Sequence, residues 1–213
     1  MTGRSAPGSL RVLLVVLVAL IAVACASPRP TDTSTPSTST PTVQASPETA
    51  SAPPTLGPSG ALIAIDPNLL HVLPPQVDGL PLTPDPATAA DVSTDADLAR
   101  SASAIAVALA IAPGASTADD LAVVSVVKLR PGVFGDAFFR NWRDTYDRAA
   151  CAVAGGITGH ASAIIGGRET EIGTCAAGAH TYHVHLATSD ILVSITAAGP
   201  RRLGELVVAG LTE

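Results

Sequence analysis

The sequence predicts an α+β domain, an antiparallel sheet of about five to seven strands with helices packed on one face. Two patterns predict this class. Several short segments alternate their side chains with the period of a β-strand, and turn residues separate them. One longer segment, residues 135–156, spaces its large side chains three and four apart, which is the period of a helix with one buried face.

Residues 1–24 are expected to be a signal peptide. The chain begins with Arg4 and Arg11 and no acidic residue, and an apolar run then extends from Val12 to Ala24. A positive start, an apolar stretch of this length and small residues at its end are typical of secretory signals. The run is too short for a permanent span, which needs roughly 20 apolar residues.

The signal ends in AVAC, residues 22–25, which resembles the lipobox of bacterial lipoproteins. The resemblance implies that Cys25 is lipidated, becomes the first residue of the mature chain and anchors it in the cell membrane on the extracytoplasmic face. Ala-Val-Ala also suits ordinary signal peptidase, which would leave Cys25 a free thiol. Both interpretations place the rest of the chain outside the cytoplasm.

Residues 25–60 are predicted to be the lipidated cysteine followed by a disordered linker. Ser, Thr and Pro dominate this segment, and Val43 and Leu56 are its only larger apolar residues. Such a composition cannot bury enough apolar surface to offset the entropy lost on ordering. The linker would hold the following domain, residues 61–213, away from the membrane.

The net charge and the two remaining cysteines indicate which partners and which covalent links to expect. All 18 acidic residues follow Cys25, against ten of the 12 basic ones, so the mature chain has a net charge of −8. Without a basic cluster, this charge argues against nucleic acid as a partner.

Cys151 and Cys175 form an even pair in an exported chain, which predicts a disulfide, with two free thiols as the alternative.

Two Asp-Pro pairs indicate short helices near the start of the domain. In Asp66-Pro67 and in Asp85-Pro86, aspartate is a favoured N-cap and proline suits the first helical position. Residues 77–82, between the two helices, predict a short edge strand.

Two long strands are predicted next. Residues 105–112 place large apolar side chains on one side and alanines on the other, which is the period of a strand. Residues 121–130 are apolar on both faces as far as Lys128, which is typical of a central strand. A Pro-Gly pair follows each strand and ends it.

The longest helix is predicted within residues 135–156. Its large side chains form one stripe, which consists of Phe138, Phe139, Trp142, Tyr146 and Ala149. On the opposite side we expect two i,i+4 ion pairs, Arg140 with Asp144 and Arg143 with Asp147. The aromatic stripe fits either a helix that fills the core or an aromatic platform for a ligand.

The C-terminal part predicts a meander of strands. Gly166-Gly167 is a two-residue hairpin signal, and residues 180–186 and 190–196 continue the meander. Residues 201–211 close the chain as an amphipathic helix. This element order, over about residues 77–213, is similar to that of the PsbP and Mog1 type of α+β domain.

The candidate site lies on the strand of residues 180–186. His183 and His185 share one face, while Tyr182, Val184 and Leu186 share the other. We expect the apolar set to face the helices, which leaves both imidazoles on the open face.

The pairing of this strand with its neighbour defines the candidate ligand set. The hairpin register predicts Glu171 opposite His183 and Glu169 opposite His185. Two carboxylates and two imidazoles on one surface could bind zinc or copper. Ordinary cross-strand pairs on a solvated face are the alternative.

No motif for a nucleophile elbow, a phosphate loop, a calcium loop or a redox Cys-x-x-Cys pair occurs in the sequence. We therefore expect a lipid-anchored, non-catalytic binding or accessory protein, whose ligand is an unidentified protein or small molecule. The alternative is a metal-binding protein or a metal-assisted secreted enzyme that uses the His183/His185 face. A purely structural envelope protein is a third possibility.

Overall fold

A computed structural model describes residues 62–113 and 120–213 of the chain. The predictions for the signal peptide, for Cys25 and for the linker lie outside the described residues. Within the described ranges, no helix has both the length and the apolar composition needed to cross a membrane.

The described residues contain ten strands and four α-helices. The strands are β1 (Ala64–Ile65), β2 (Gln76–Val77), β3 (Leu80–Pro81), β4 (Thr83–Pro84), β5 (Ala102–Ile111), β6 (Leu121–Leu129), β7 (Ile157–Ile165), β8 (Arg168–Cys175), β9 (His180–Leu186) and β10 (Ile191–Ala198). The α-helices are α1 (Pro86–Ser93), α2 (Leu98–Ser101), α3 (Asp136–Ala152) and α4 (Leu203–Ala209), and two 3-10 helices cover Pro67–Val72 and Ala187–Ser189.

The α+β class is confirmed. Eight strands form one sheet in the order β1-β5-β6-β10-β9-β8-β7, with β4 also paired to β5. The sheet is mixed, because β1 runs parallel to β5, while the other pairs along the sheet are antiparallel. Strands β2 and β3 form a separate hairpin.

Helices cover both faces of this sheet, which corrects the expectation that they gather on one face. In β10, Val193 and Ile195 pack in the core beneath α4, whereas Leu192 and Ser194 point to the face covered by α3. The α3 face carries polar side chains from β9 and β10, a pattern that resembles a solvated face in the sequence. Polar atoms on α3 pair with these side chains instead of water.

Helix α3 uses its aromatic stripe mainly to fill the core, as one of the two interpretations predicted. Trp142 and Tyr146 are buried against the sheet, while Phe138 and Phe139 are half-buried at the N-terminal end of the helix. The two predicted i,i+4 ion pairs are not formed. Arg143 instead contacts Glu171 and Asp144, and Asp147 turns inward.

The predicted Gly166-Gly167 hairpin joins β7 to β8. Both glycines have positive φ angles, +58° and +81°, which glycine adopts without strain. A Cβ atom on Gly166 would lie 2.7 Å from the Cα atom of Ala209. The hairpin turn is therefore tight and also packs closely against the end of α4.

The predicted disulfide between Cys151 and Cys175 is present. It joins the last turn of α3 to the end of β8, across 24 positions of sequence and 5.1 Å between Cα atoms. Both residues are buried. The bridge fixes the C-terminal end of α3 to the sheet.

We expect the double variant Cys151→Ala/Cys175→Ala to lose about 3 kcal/mol of unfolding free energy, because the unfolded chain regains the entropy of the closed loop. Urea unfolding of the mature chain at pH 7 measures the loss. Cys25→Ser is the matched control and should leave the midpoint unchanged. Equal midpoints for the double variant and the wild type would contradict the prediction.

Candidate functional site

A polar network, buried except at His160, connects α3 to β7, β9 and β10. Its members are Asp147, His160, Thr181, His183, Ser194 and Trp142. Asp147 lies at its centre and is only 1% exposed. A buried carboxylate needs hydrogen-bond donors around it, since transferring an unpaired charge out of water is strongly unfavourable.

Three side chains donate to the Asp147 carboxylate. His183 Nε2 lies 2.8 Å from Oδ1, and His160 Nε2 lies 2.9 Å from Oδ2. Thr181 Oγ1 also donates to Oδ1. Because an ionised carboxylate only accepts, each imidazole carries its proton on the nitrogen that faces Asp147.

The same network continues from His183 to α3. His183 Nδ1 lies 3.0 Å from Ser194 Oγ, and Trp142 Nε1 donates to that oxygen over 2.9 Å. His183 thus faces Asp147 with Nε2 and Ser194 with Nδ1, so both of its ring nitrogens have a partner. Every polar atom in the path from Trp142 to Asp147 then has a partner.

Gly173 provides the space for this carboxylate. A Cβ atom at this position of β8 would lie 2.7 Å from Asp147 Oδ2 and 2.4 Å from Thr181 Oγ1. Any larger residue would therefore displace the network. Glycine is required here by close approach rather than by its backbone conformation.

The network lowers the pKa of Asp147 below its ordinary value of 3.8. Burial is the largest influence and by itself would raise the pKa. The hydrogen bond and charge of His183 oppose it, together with the hydrogen bonds from Thr181 and His160, and they outweigh it. Asp147 is thus held in its ionised form.

Ser194, His183 and Asp147 are linked by hydrogen bonds in the order of a Ser-His-Asp hydrolase triad, but all three side chains are buried away from solvent. Ser194 and His183 are both 0% exposed, so no substrate carbonyl can reach the hydroxyl. The Ser194 oxygen already accepts from Trp142. In this position the three residues hold α3 on the sheet and have no access to a reacting molecule.

Beside the network, an open cleft of about 500 Å³ separates the first two turns of α3 from the sheet. It is lined by Phe134, Asp136, Phe139, Arg140, Arg143, Glu169, Glu171 and His185. The Phe134 and Phe139 rings lie 5.7 Å apart and give the cleft an aromatic wall. Its other lining residues are charged or polar, so the cleft is amphiphilic.

The charged side chains of the cleft divide into paired and unpaired groups. Arg143 donates to Glu171 over 2.7 Å, and Ser162 donates to the other oxygen of Glu171, also over 2.7 Å. Among the described residues, Arg140, Asp136 and Glu169 have no ion-pair or hydrogen-bond partner from a side chain. Within the part of the chain that the structure describes, the cleft therefore presents one free cation and two free anions.

His185 forms part of the aromatic wall. Its ring stacks on Phe134, with centroids 3.4 Å apart and planes within 9°. Burial lowers the pKa of His185, and the charge of Asp190, 3.9 Å away, opposes this only in part. The imidazole is therefore more readily neutral than a solvated histidine and contributes a flat, uncharged surface.

The structure brings together three of the four residues predicted for a metal site. Glu169, Glu171 and His185 line the cleft, whereas His183 lies in the buried network. The prediction that both imidazoles lie on an open face is wrong for His183, because α3 covers it. Both of its ring nitrogens are within hydrogen-bond distance of protein atoms.

The predicted register is confirmed at one of its two pairs. Glu171 lies opposite His183, and the β8–β9 ladder ends there without a pair between Glu169 and His185. In residues 62–113 and 120–213, no group of three or more His, Cys, Asp or Glu side chains is placed to hold a metal ion.

Sequence reasoning missed Asp147, Ser194 and His160. Asp147 stands four positions after Arg143, which gave it the pattern of an exposed ion pair. One signal was available: polar residues alternate along β9 and β10, whose other faces are mostly apolar, with His180 at the start of β9 and the hydroxyl of Tyr182 as the exceptions. Two adjacent central strands with this pattern indicate a covered polar layer.

Comparison with protein-family models, with curated proteins and with solved structures gave no match to this chain.

We expect Asp147→Asn to remove about 3 kcal/mol of stability at neutral pH, because an amide cannot accept from three donors and the imidazoles lose their charged partner. Since the folded pKa is lowered, the stability that Asp147 contributes is fully present above pH 3.8 and is lost as the pH falls below it.

Denaturant unfolding between pH 7 and pH 2.5 tests both parts. Wild type should lose stability steeply below pH 4, and Asp147→Asn should show a shallower slope there. Asp144→Asn, on the same helix but half-exposed, is the control. An unchanged slope in Asp147→Asn would show that this carboxylate is not the group that titrates.

Proposed function

We propose that this protein is a lipid-anchored, non-catalytic binding protein of the extracytoplasmic membrane face, and that the cleft beside α3 is its ligand site. The observation that supports binding over catalysis is the contrast between the two polar regions. The Ser194–His183–Asp147 chain is closed to solvent, while the neighbouring cleft is open and holds unpaired charges.

The chemistry of the cleft favours an aromatic zwitterion, such as an aromatic amino acid or a short peptide that contains one. Phe134 and His185 offer a flat stacking surface, and Phe139 extends it. Arg140 is free to bind a carboxylate, and Glu169 is free to bind an ammonium group. A ligand with a single sign of charge would leave one of these groups without a partner.

The membrane location is supported by the sequence. The chain begins with a positively charged segment and a short apolar run, which together form a signal that ends at Cys25. A linker rich in Ser, Thr and Pro follows. Lipidation of this residue with two or more acyl chains would give stable anchoring, since a single chain binds a membrane only marginally. Zinc and copper are not supported as ligands, because both ring nitrogens of His183 lie within hydrogen-bond distance of protein atoms.

The dipeptide Phe-Phe, titrated into the 15N-labelled mature chain, tests the cleft. We expect saturable shifts at residues of α3 and β8, and a roughly tenfold weaker affinity for Arg140→Ala, since a charge-assisted hydrogen bond contributes about 1.5 kcal/mol or more. Arg148→Ala, an exposed arginine of the same helix outside the cleft, is the matched control.

Single-charge analogues sharpen the result. Phenylacetate and phenethylamine should each bind more weakly than the dipeptide, because each leaves two of the three free groups of the cleft unpaired and the dipeptide leaves one. The ligand class is refuted if Arg140→Ala and Arg148→Ala bind Phe-Phe equally, or if the shifts do not saturate.

The anchor is tested in cells. We expect the wild-type chain to fractionate with membranes and its mature N-terminal peptide, beginning at Cys25, to carry fatty acyl chains by mass spectrometry. Cys25→Ser should abolish both, because serine has no sulfur to modify. Cys175→Ser, which removes a different sulfur, should remain membrane-bound. An unmodified Cys25 in the mature wild-type chain would contradict the anchor but leave the cleft untouched.

A further inference from the structure

Strand β7 forms one edge of the sheet and is open along its outer side. Among the described residues it pairs with β8 alone. Seven of its nine residues, Ile157–Ile165, are exposed and none is buried. At about 3.3 Å per residue this is an edge roughly 30 Å long, and its outward backbone groups are free to pair with another strand.

The opposite edge of the sheet is protected. The outer side of β5 is occupied by two fragments of two residues each, β1 and β4. Strand β4 contains Pro84, which lacks a backbone donor. Short strands and proline are the devices by which natural sheets prevent edge pairing, so the contrast with β7 is informative.

Strand β7 is neither short nor interrupted by proline, and its one irregularity, a register shift between Ile157 and Gly159, lies at its first residues. Its sequence, ITGHASAII, contains no Lys, Arg, Asp, Glu or Pro. Ile164 is 71% exposed and Ile157 is 37% exposed. A long, uncharged edge with exposed isoleucines is a template for strand addition.

The linker of this chain is a poor occupant for the edge. Residues 26–60 contain eight prolines, and no run free of proline exceeds five residues. Proline cannot donate to a ladder, so the linker cannot pair continuously with a nine-residue strand.

A second copy of the chain fits the edge better. Two β7 strands meet without like charges, although each mature chain is acidic overall. The regular part of β7 runs from Gly159 to Ile165, because the strand has a register shift between Ile157 and Gly159. In an antiparallel pair centred on Ala161, Gly159 lies opposite Ala163, so small side chains meet in the middle of the pair.

We propose that two copies of this protein associate through β7, antiparallel about a two-fold axis at Ala161, into one continuous sheet. The dimer requires neither the lipid anchor nor a ligand in the cleft. A single strand pair buries less than the roughly 1,200 Å² of a stable interface. The dimer is therefore reversible and depends on concentration.

Site-directed crosslinking tests the geometry. Ala161→Cys, in the mature chain with Cys25→Ser, places two thiols opposite each other, at a Cα separation that suits a disulfide. Mild oxidation should give a linked dimer. The matched control is Ala163→Cys, whose own copy lies four positions away along the strand, beyond disulfide reach.

Sedimentation equilibrium of the mature chain, up to about 1 mM, provides a second readout. Ala161→Lys places two positive charges opposite each other and should raise the dimer dissociation constant about fivefold. Ala90→Lys, the same change on an exposed position of α1, should not alter it. The proposal is overturned by a monomeric wild type over this range, by equal effects of the two lysine variants, or by crosslinking at 163 in place of 161.

Discussion

The fold depends on one buried charge, the carboxylate of Asp147. Ionised and almost without solvent contact, it is tolerable only while His183, His160 and Thr181 donate to it, and these residues come from three different strand positions. Removing any one donor leaves a charge underpaired in a medium of low dielectric constant. The requirement fixes the rotation of α3 about its axis and its position along β9, which apolar packing alone would determine less strictly.

In the rest of the interface between α3 and the sheet, buried polar atoms likewise have hydrogen-bond partners close by. Trp142 and Tyr146 present large apolar surfaces to the sheet, and each carries one polar atom that meets a hydroxyl, at Ser194 and Thr196 respectively. Burial, with the nearby charge of Asp147, raises the pKa of Tyr146 to about 12 against the hydrogen bonds that oppose it, so the phenol remains protonated and neutral. A hydrogen bond contributes about 1 kcal/mol net, but an unpaired buried group costs about 1–3 kcal/mol. The polar contacts between α3 and the sheet therefore determine how the helix docks more than they add to the stability of the fold.

The sequence was sufficient wherever a local pattern determines structure. The Gly166-Gly167 turn, the disulfide and the pairing of Glu171 with His183 each depend on short-range chemistry or on a register that a tight hairpin fixes. It was insufficient where the partner of a polar residue comes from a distant element. Alternation shows that His183 and Tyr182 point to opposite faces, but it does not show that both faces are covered. That depends on α3 returning across β9, and Asp147 turns inward only because its donors are already there.

The position of the cleft follows from this anchoring. Arg140 and Phe139 lie up to two turns before Asp147 on the same rigid helix, and the Arg143–Glu171 ion pair joins the helix to β8 at the base of the cleft. The side chains that would meet a ligand are held by residues that never touch it. A site held in this way loses little further entropy on binding, so weak individual contacts are enough for a measurable affinity. The buried network, although chemically closed, thus acts on any ligand through the placement of α3, and a change at Gly173 or Asp147 would alter the cleft without altering its lining.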